Sequence, residues 1–383
     1  PRFAWRAFML DEARFFKGET VVKQLLDEMA ALKMNVFHWH LTDDQGWRVE
    51  SKKYPRLTEI GAKRKDSQSG GWKSPTTYGE PHEGFYTQEQ IKDILQYAKE
   101  RHIKIVPEIG MPGHASAAIA AYPCLGSTND TIEVPVTFGK HFSVFNVTNP
   151  KVVEFLKDVV DEMLMLFETD IIHIGGDEVR FTQWEENESI TKYKKDKGFT
   201  SYMDLQIEFT NVMSKHIESK NSRMIGWNEI LGNYQHQYDN IFFDDPSQKL
   251  ASNVIVQFWV GKEDAIVEAA KQHYQIINSY SAYTYLDYDY ETISLHKAYS
   301  FDPVPKNLPE EYHSNIIGLG CQMWGEWIPT VASMQEKIFP RLAAFAEIGW
   351  SHPSNKDYNS FLQRLNALIK RWKSSGIQVF DFP

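Results

Sequence analysis

Cysteine is almost missing from this chain: only Cys124 and Cys321 occur in 383 residues, and they have no metal-type spacing. That argues against a disulfide scaffold and against a cysteine-ligated zinc site. Cys321 falls in an apolar run and reads as a free, buried thiol. No stretch approaches the roughly 18 apolar residues that a membrane-spanning helix needs. Positive charge is also scarce, with 41 Lys and Arg against 51 Asp and Glu and a formal net charge of −10. A nucleic-acid backbone or an anionic membrane surface is thus a poor main partner. No Gly-x-Gly-x-x-Gly turn follows the first apolar run, which disfavours a dinucleotide-binding open sheet. Internal repeats, low-complexity segments and linkers are absent, so a single domain over 1–383 is expected. The chain starts at Pro1 with no signal-peptide pattern, so neither targeting nor redox compartment is readable, and it reads as a processed protein or an excised domain.

What is present is apolar and aromatic: 42% hydrophobic residues and 14% aromatics, including 11 Trp and 18 Tyr. Eight short apolar runs recur along the chain. They are Ala7–Leu10, Asn35–Leu41, Lys104–Ile109, Ile171–Ile174, Met224–Trp227, Val254–Trp259, Gln275–Ser279 and Ile316–Trp324. Such near-continuous runs suit strands buried on both faces, as in a parallel sheet. Helical patterns or long loops separate them. Thr87 with Gln90 predicts a capping box, and Asn149-Pro150 predicts the cap and first position of a helix lined by Val152, Phe155, Leu156, Val159, Val160, Met163 and Phe167. Further helices are expected over about 203–219, 263–272, 331–349 and 356–374. Long irregular stretches fall at 66–86, 122–146 and 280–301. Eight strands in this length predict an α/β (β/α)₈ barrel with enlarged βα loops, and a doubly wound sheet is the alternative.

In such a barrel the functional residues gather at the C-terminal ends of the strands. Those ends carry Asp11 and Arg14, Asp43, His114, Asp177 and Glu178, Trp227, Trp259, Tyr285 and Asp287, and Trp324 and Glu326. Carboxylates within aromatic walls suit a sugar, whose ring faces stack on aromatics while its hydroxyls bond to acids and Arg. Glycosidic cleavage ordinarily uses two separated carboxylates on opposite sides of the bond. Asp177 and Glu178 are adjacent, which fits that scheme badly. Two other classes stay open on the residues alone. One is a metal-dependent barrel hydrolase using His38 and His40 with His114, His173 and Asp177. The other is a sugar-binding barrel without catalysis.

The run His173-Ile174-Gly175-Gly176-Asp177-Glu178 resembles the signature of family 20 glycoside hydrolases, the β-N-acetylhexosaminidases. Phe37-His38-Trp39-His40-Leu41-Thr42-Asp43-Asp44-Gln45-Gly46-Trp47-Arg48 and Pro107-Glu108-Ile109-Gly110-Met111-Pro112-Gly113-His114 support it. So do Gly226-Trp227, Gln257-Phe258-Trp259, Tyr285-Leu286-Asp287 and Trp324-Gly325-Glu326. The resemblance implies exo-acting, retaining release of terminal β-linked GlcNAc or GalNAc, with the substrate's own acetamido oxygen as nucleophile and an oxazolinium intermediate. It implies no metal and no cofactor, a carbohydrate partner, and a secreted, periplasmic or lysosome-like compartment. A disaccharide-releasing variant such as a lacto-N-biosidase is the alternative within the family.

By the same resemblance Glu178 is the acid and base, Asp177 holds the acetamido N–H, and Tyr285 donates to the acetamido oxygen. Trp227, Trp259 and Trp324 wall the sugar. Arg14 binds the 3- and 4-hydroxyls, Glu326 the 4-hydroxyl and Asp287 the 6-hydroxyl, where its charge would repel a 6-sulfate. Asp43 and His114 form a supporting pair near Glu178. Gly175 and Gly176 are expected to make room for a sugar ring. The departures are Arg6-Ala7 in place of Arg-Gly, expected to affect packing only, and Asn228 where an acid is common, expected to leave that wall less charged. The accessory domain usual before the barrel is expected to be absent.

Overall fold

All eight apolar runs become strands of a closed parallel barrel in the computed structural model, which describes residues 1–128, 130–232, 235–236, 241–242 and 246–382. In chain order they are β1 (Trp5–Asp11), β2 (Val36–His40), β3 (Lys104–Glu108), β4 (Ile171–His173), β5 (Arg223–Trp227), β6 (Ile255–Phe258), β7 (Gln275–Asn278) and β8 (Ile316–Met323). Each pairs with its neighbours in sequence, and β8 closes on β1 with Cys321 opposite Phe8. The doubly wound alternative is excluded.

The helices around the barrel are α1 (Glu19–Ala31), α2 (Gln88–Lys99), α3 (Pro150–Phe167), α4 (Tyr202–Ser219), α5 (Glu263–Lys271), α6 (Leu295–Ser300), α7 (Val331–Ile338), α8 (Arg341–Trp350) and α9 (Tyr358–Ser374). The two predicted caps form. Thr87 and Gln90 exchange the capping-box bonds, and the Asn149 side chain accepts from the Lys151 N–H ahead of α3. The α3 face predicted to be apolar is buried, and each large side chain there contributes about 2 kcal/mol of hydrophobic stabilisation. One expectation fails. The helix over 331–349 is two helices, because Pro340 has no N–H for an intrahelical bond and its ring crowds the preceding turn. The 280–301 stretch is also less irregular than expected, since it holds a turn of helix at Ser281–Thr284 and then α6. No described helix is long and apolar enough to cross a membrane.

Alternation along the strands explains how an apolar barrel acquires a polar upper half. Ala7, Val36, Val106, Ile225, Ile255 and Ile277 form a small buried cluster of their own. Side chains two residues apart share a strand face, so the next positions on the same face carry His38, Glu108, Trp227 and Gln257. The register then sets Asp11 opposite His40, His40 opposite Glu108, and Glu108 opposite His173. Four ionisable groups thus occupy one level beneath the C-terminal rim. The long 66–86 loop is tied over that rim. The Gln68 N–H donates to the Val136 carbonyl (2.8 Å), the Phe138 N–H donates to Gln68 Oε1 (3.0 Å), and the Gln45 amide donates to the Thr137 carbonyl (2.9 Å).

Candidate active site

A cavity of about 490 Å³ opens at the C-terminal ends of the strands. Its lining includes Arg14, His114, Asp177, Glu178, Trp227, Trp259, Tyr285, Asp287, Trp324 and Glu326. Ten of the eleven residues to which the resemblance gives a role therefore share one cavity. The eleventh, Asp43, lies behind it at 2% exposure. Its carboxylate takes Arg14 Nη2 at 2.9 Å, His40 Nε2 at 2.9 Å and His114 Nδ1 at 3.1 Å. Asp43 therefore orients Arg14 and His114 rather than facing a ligand. A larger groove of about 580 Å³, lined by Lys92, Lys99, His102 and Asp170 among others, contains none of the predicted residues.

Adjacent residues on a strand point to opposite faces, so the chain must leave the strand conformation for Asp177 and Glu178 to face one cavity. It does so immediately after β4. Gly175 has φ +70°, Gly176 φ +91° and Glu178 φ +50°. A non-glycine in this left-handed region stores conformational strain, a feature that clusters at functional sites. His114 shares it, at φ +51°. The two glycines do not make room for a sugar. A Cβ on Gly176 would stand 2.4 Å from Ile230 Cγ2, and one on Gly175 would stand 3.2 Å from Gly110 Cα. Positive φ and close protein packing require them.

Asp177 Oδ2 and Glu178 Oε2 each lie 3.6 Å from the same atom, His114 Nε2. Burial alone would lower the His114 pKa, but the charges of Asp43 and Asp177 hold it well above the ordinary histidine value. Burial, and then the charges of Glu108, Glu178 and Asp43 working against His114, push Asp177 up to about 7. Across the cavity burial and the neighbouring Glu326 push Asp287 up to about 8. Burial likewise raises Glu326, against the pull of Arg14. Arg14 reaches Glu326 Oε1 at 3.5 Å and Asp11 Oδ2 at 3.2 Å, and its guanidinium carbon lies 5.3 Å from the Trp324 ring centre. Trp259 stacks on Tyr285 at 5.9 Å with only 9° between the planes, and Trp227 and Trp324 lie 5.9 Å apart. Asp287 Oδ1 has no hydrogen-bond partner among the described residues. A ligand hydroxyl would satisfy it.

Asn228 does not act through charge. Its Nδ2 donates to the Val260 carbonyl at 3.0 Å while its Oδ1 accepts the Trp259 N–H at 2.9 Å. An amide can do both at once and a carboxylate cannot. Arg6 bonds to the Phe3 and Lys33 carbonyls away from the cavity, in keeping with a packing role.

Glu108 belongs to the Pro107–His114 motif, where the resemblance assigns it no role. Glu108 is fully buried. Its Oε1 accepts the Trp227 indole N–H at 2.8 Å and its Oε2 lies 2.7 Å from His40 Nδ1. The contacts Glu108–His40–Asp43–His114 therefore run from the barrel centre to the two rim carboxylates. Burial alone would lower the His40 pKa, but Glu108 and Asp43 carry it up to about 10. The inward alternation of β2 and β3 was the signal for this chain. The metal alternative meets a different geometry. Among the described residues, His38, Glu108 and His173 converge in one group and Asp43, Asp44 and His114 in another, with Asp177 in neither. His173 Nδ1 accepts the Gly175 N–H at 3.0 Å, which leaves the proton of the neutral ring on Nε2. Trp72, Gly139, Lys140 and Tyr288 also line the cavity and come from loops whose positions no periodicity announces.

The family model for glycosyl hydrolase family 20, catalytic domain, matches residues 3–353. The chain belongs to that family. It is 36% identical to a β-hexosaminidase of Porphyromonas gingivalis over 98% of this chain and 47% of the relative. A β-hexosaminidase of Vibrio furnissii is 35% identical over 91% of this chain and 57% of the relative. The chain thus spans about half the length of these curated relatives. Among solved structures, an exo β-N-acetylglucosaminidase of Vibrio harveyi in complex with N-acetylglucosamine superposes with a TM-score of 0.84 at 31% identity, covering 100% of this chain and 59% of that one. Family 20 membership and the closed barrel thus agree with the fold and the enzyme class that the motifs implied.

Proposed function

We propose that this family 20 domain releases terminal, non-reducing β-linked N-acetylhexosamine from glycans or chitooligosaccharides, with retention, through attack by the substrate's own acetamido group. One observation carries the reading. Asp177 and Glu178, adjacent in sequence, converge on a single nitrogen of His114, an arrangement that favours approach to a bound sugar from one side over the division between the two faces of the bond usual for paired carboxylates. A nucleophile from the substrate removes the need for that division.

In the first step the acetamido oxygen bonds to C1 as the C1–O bond to the leaving group breaks, and Glu178 gives its proton to the departing oxygen. Asp177 accepts the acetamido N–H and offsets the positive charge that develops on the ring. Tyr285, held neutral by burial, donates to the acetamido oxygen. The wall of Trp227, Trp259 and Trp324 keeps the acetamido group against C1 and excludes water, which raises its effective concentration. In the second step Glu178 takes a proton from water as that water bonds to C1 and the oxazolinium ring opens. Arg14, Glu326 and Asp287 hold the 3-, 4- and 6-hydroxyls. Asp287 keeps its proton at neutral pH, so repulsion of a 6-sulfate is a high-pH property.

A panel of p-nitrophenyl glycosides tests the reading. Release from GlcNAc and GalNAc with retained anomeric configuration, and none from glucose, which lacks the acetamido group, is the expected result. Inversion, or equal turnover of the glucoside, would contradict it.

A further inference from the structure

Glu229 is a carboxyl that the proposed reaction does not use. It lies behind the aromatic wall at 2% exposure and is not part of the cavity lining. Burial and the charge of Asp177 hold it well above the ordinary carboxyl value, against the pull of the Trp259 indole. Burying a polar group costs free energy unless it is hydrogen-bonded. Here the bond made is to the wall itself, since Glu229 Oε2 accepts the Trp259 indole N–H at 2.8 Å.

Trp259 is the first residue beyond β6, so its backbone needs partners outside the strand ladder. Asn228 Oδ1 accepts its N–H at 2.9 Å, and its carbonyl accepts the Ser281 N–H at 2.9 Å. Asn228 and Glu229 thus grip Trp259 by the backbone and by the far edge of the ring. Both belong to the short turn Asn228–Leu231 that follows β5. The next residue of that turn, Ile230, packs on Gly176 just before the two rim carboxylates. One turn therefore ties the wall to the segment that carries Asp177 and Glu178.

The indole nitrogen is the ring's only polar atom. With that atom bound to Glu229 behind the wall, the ring offers carbon to the cavity, nearly parallel to Tyr285 at 9°. In the proposed reaction Tyr285 donates to the acetamido oxygen, so the acyl group lies beside this aromatic pair. Trp259 is only partly buried. Without the bond its side chain could exchange between rotamers, and the wall would yield to a longer acyl chain.

We infer that Glu229 is a positioning residue which, together with Asn228, fixes Trp259 and thereby restricts the substrate's 2-acylamido group to acetyl. The inference deepens the proposed function and rests on its substrate-assisted step.

Two p-nitrophenyl β-glucosaminides test this, one bearing an N-acetyl group and one an N-butanoyl group. The unaltered enzyme is expected to favour the acetyl compound in kcat/KM by at least about tenfold. Glu229→Met keeps the buried volume and removes the buried carboxyl, so the fold should be retained, but the indole loses its acceptor. It should lower kcat/KM on the acetyl compound by about tenfold or more through misplacement of the acyl group. It should also bring the acetyl-to-butanoyl ratio to within about threefold of one. Glu229→Gln, whose amide oxygen still accepts the indole N–H, should keep the ratio of the unaltered enzyme. Glu229→Asp is one methylene short of the indole and should relax the ratio as Glu229→Met does, a second reading if the Met variant is not recovered folded. An unaltered enzyme indifferent to acyl length would overturn the inference. So would Met and Asp variants that lose activity equally on both compounds, or a Gln variant as relaxed as the Met variant. Retained configuration and failure to cleave the glucoside test the substrate-assisted step separately, so an active enzyme whose ratio stands in these variants refutes the role of Glu229 alone.

Discussion

Replacing Asp177 by Asn should make the protein more stable while nearly abolishing its activity, and the gain should depend on pH in one direction. Burial and neighbouring carboxylates push Asp177 from 3.8 up to about 7. A carboxyl whose pKa rises on folding contributes stability that is fully present below about 3.8 and is lost as pH rises through about 7. About three units correspond to at most about 4 kcal/mol against the folded state at pH 8. That balance already includes the attraction of His114, and hydration through the open cavity reduces it to about 1–3 kcal/mol. Asn is neutral at every pH and escapes the penalty. For a chain of this length the expected rise in Tm at pH 8 is about 1–4 °C, shrinking towards zero near pH 4. Turnover should fall by about 10²-fold or more, because the amide cannot offset the charge developing on the acetamido group. Calorimetry of both proteins between pH 4 and pH 8 measures the difference. A variant less stable at pH 8, or a gain that does not change with pH, would refute the reasoning.

Other outcomes follow from the same geometry. Glu178→Gln should lose about 10²–10⁴-fold on substrates with poor leaving groups and far less on dinitrophenyl glycosides, since only the former need the proton; rates across a leaving-group series read this, and a flat loss would exclude the acid role. Glu108→Gln removes one of the two buried carboxylates that pair His40, leaving Asp43, and should destabilise the fold by up to about 3 kcal/mol, seen as a lower denaturation midpoint. It should also loosen Trp227, so that KM rises more than kcat falls in whatever folded enzyme is recovered. Discrimination against 6-sulfated p-nitrophenyl GlcNAc should sharpen as pH rises through about 8, where Asp287 ionises; a selectivity ratio constant from pH 6 to pH 9 would remove Asp287 from that role.

The barrel was legible because each strand is a short β-branched run and each interval holds a helix pattern or a long loop. The caps at Thr87 and Asn149 were legible for the same local reason. Pro340 was an equally local signal, passed over because the apolar period on its two sides matches. The rim residues followed from strand ends alone, and ten of them do share the cavity. Asp43 shows where that logic stops: a residue at a strand end can turn back into the protein, and only three-dimensional partners reveal it. Glu108 lay hidden inside an apolar run, although its place on the inward face two residues after Val106 marked it. The missing side chains at Gly175 and Gly176 are legible in the sequence, but what fills the space, Ile230 and Gly110, is not. Lys140 and Trp72 come from irregular loops, where no repeat in the sequence fixes direction.

The central claim is that the substrate, not Asp177 or Glu178, attacks C1. Its most direct test is the binding of a thiazoline that mimics the bicyclic intermediate, measured by inhibition against N-acetylglucosamine itself. Affinity at least about 10²-fold tighter for the thiazoline is predicted, as for a mimic of a species close to the transition state. Equal affinity of the two would contradict the account.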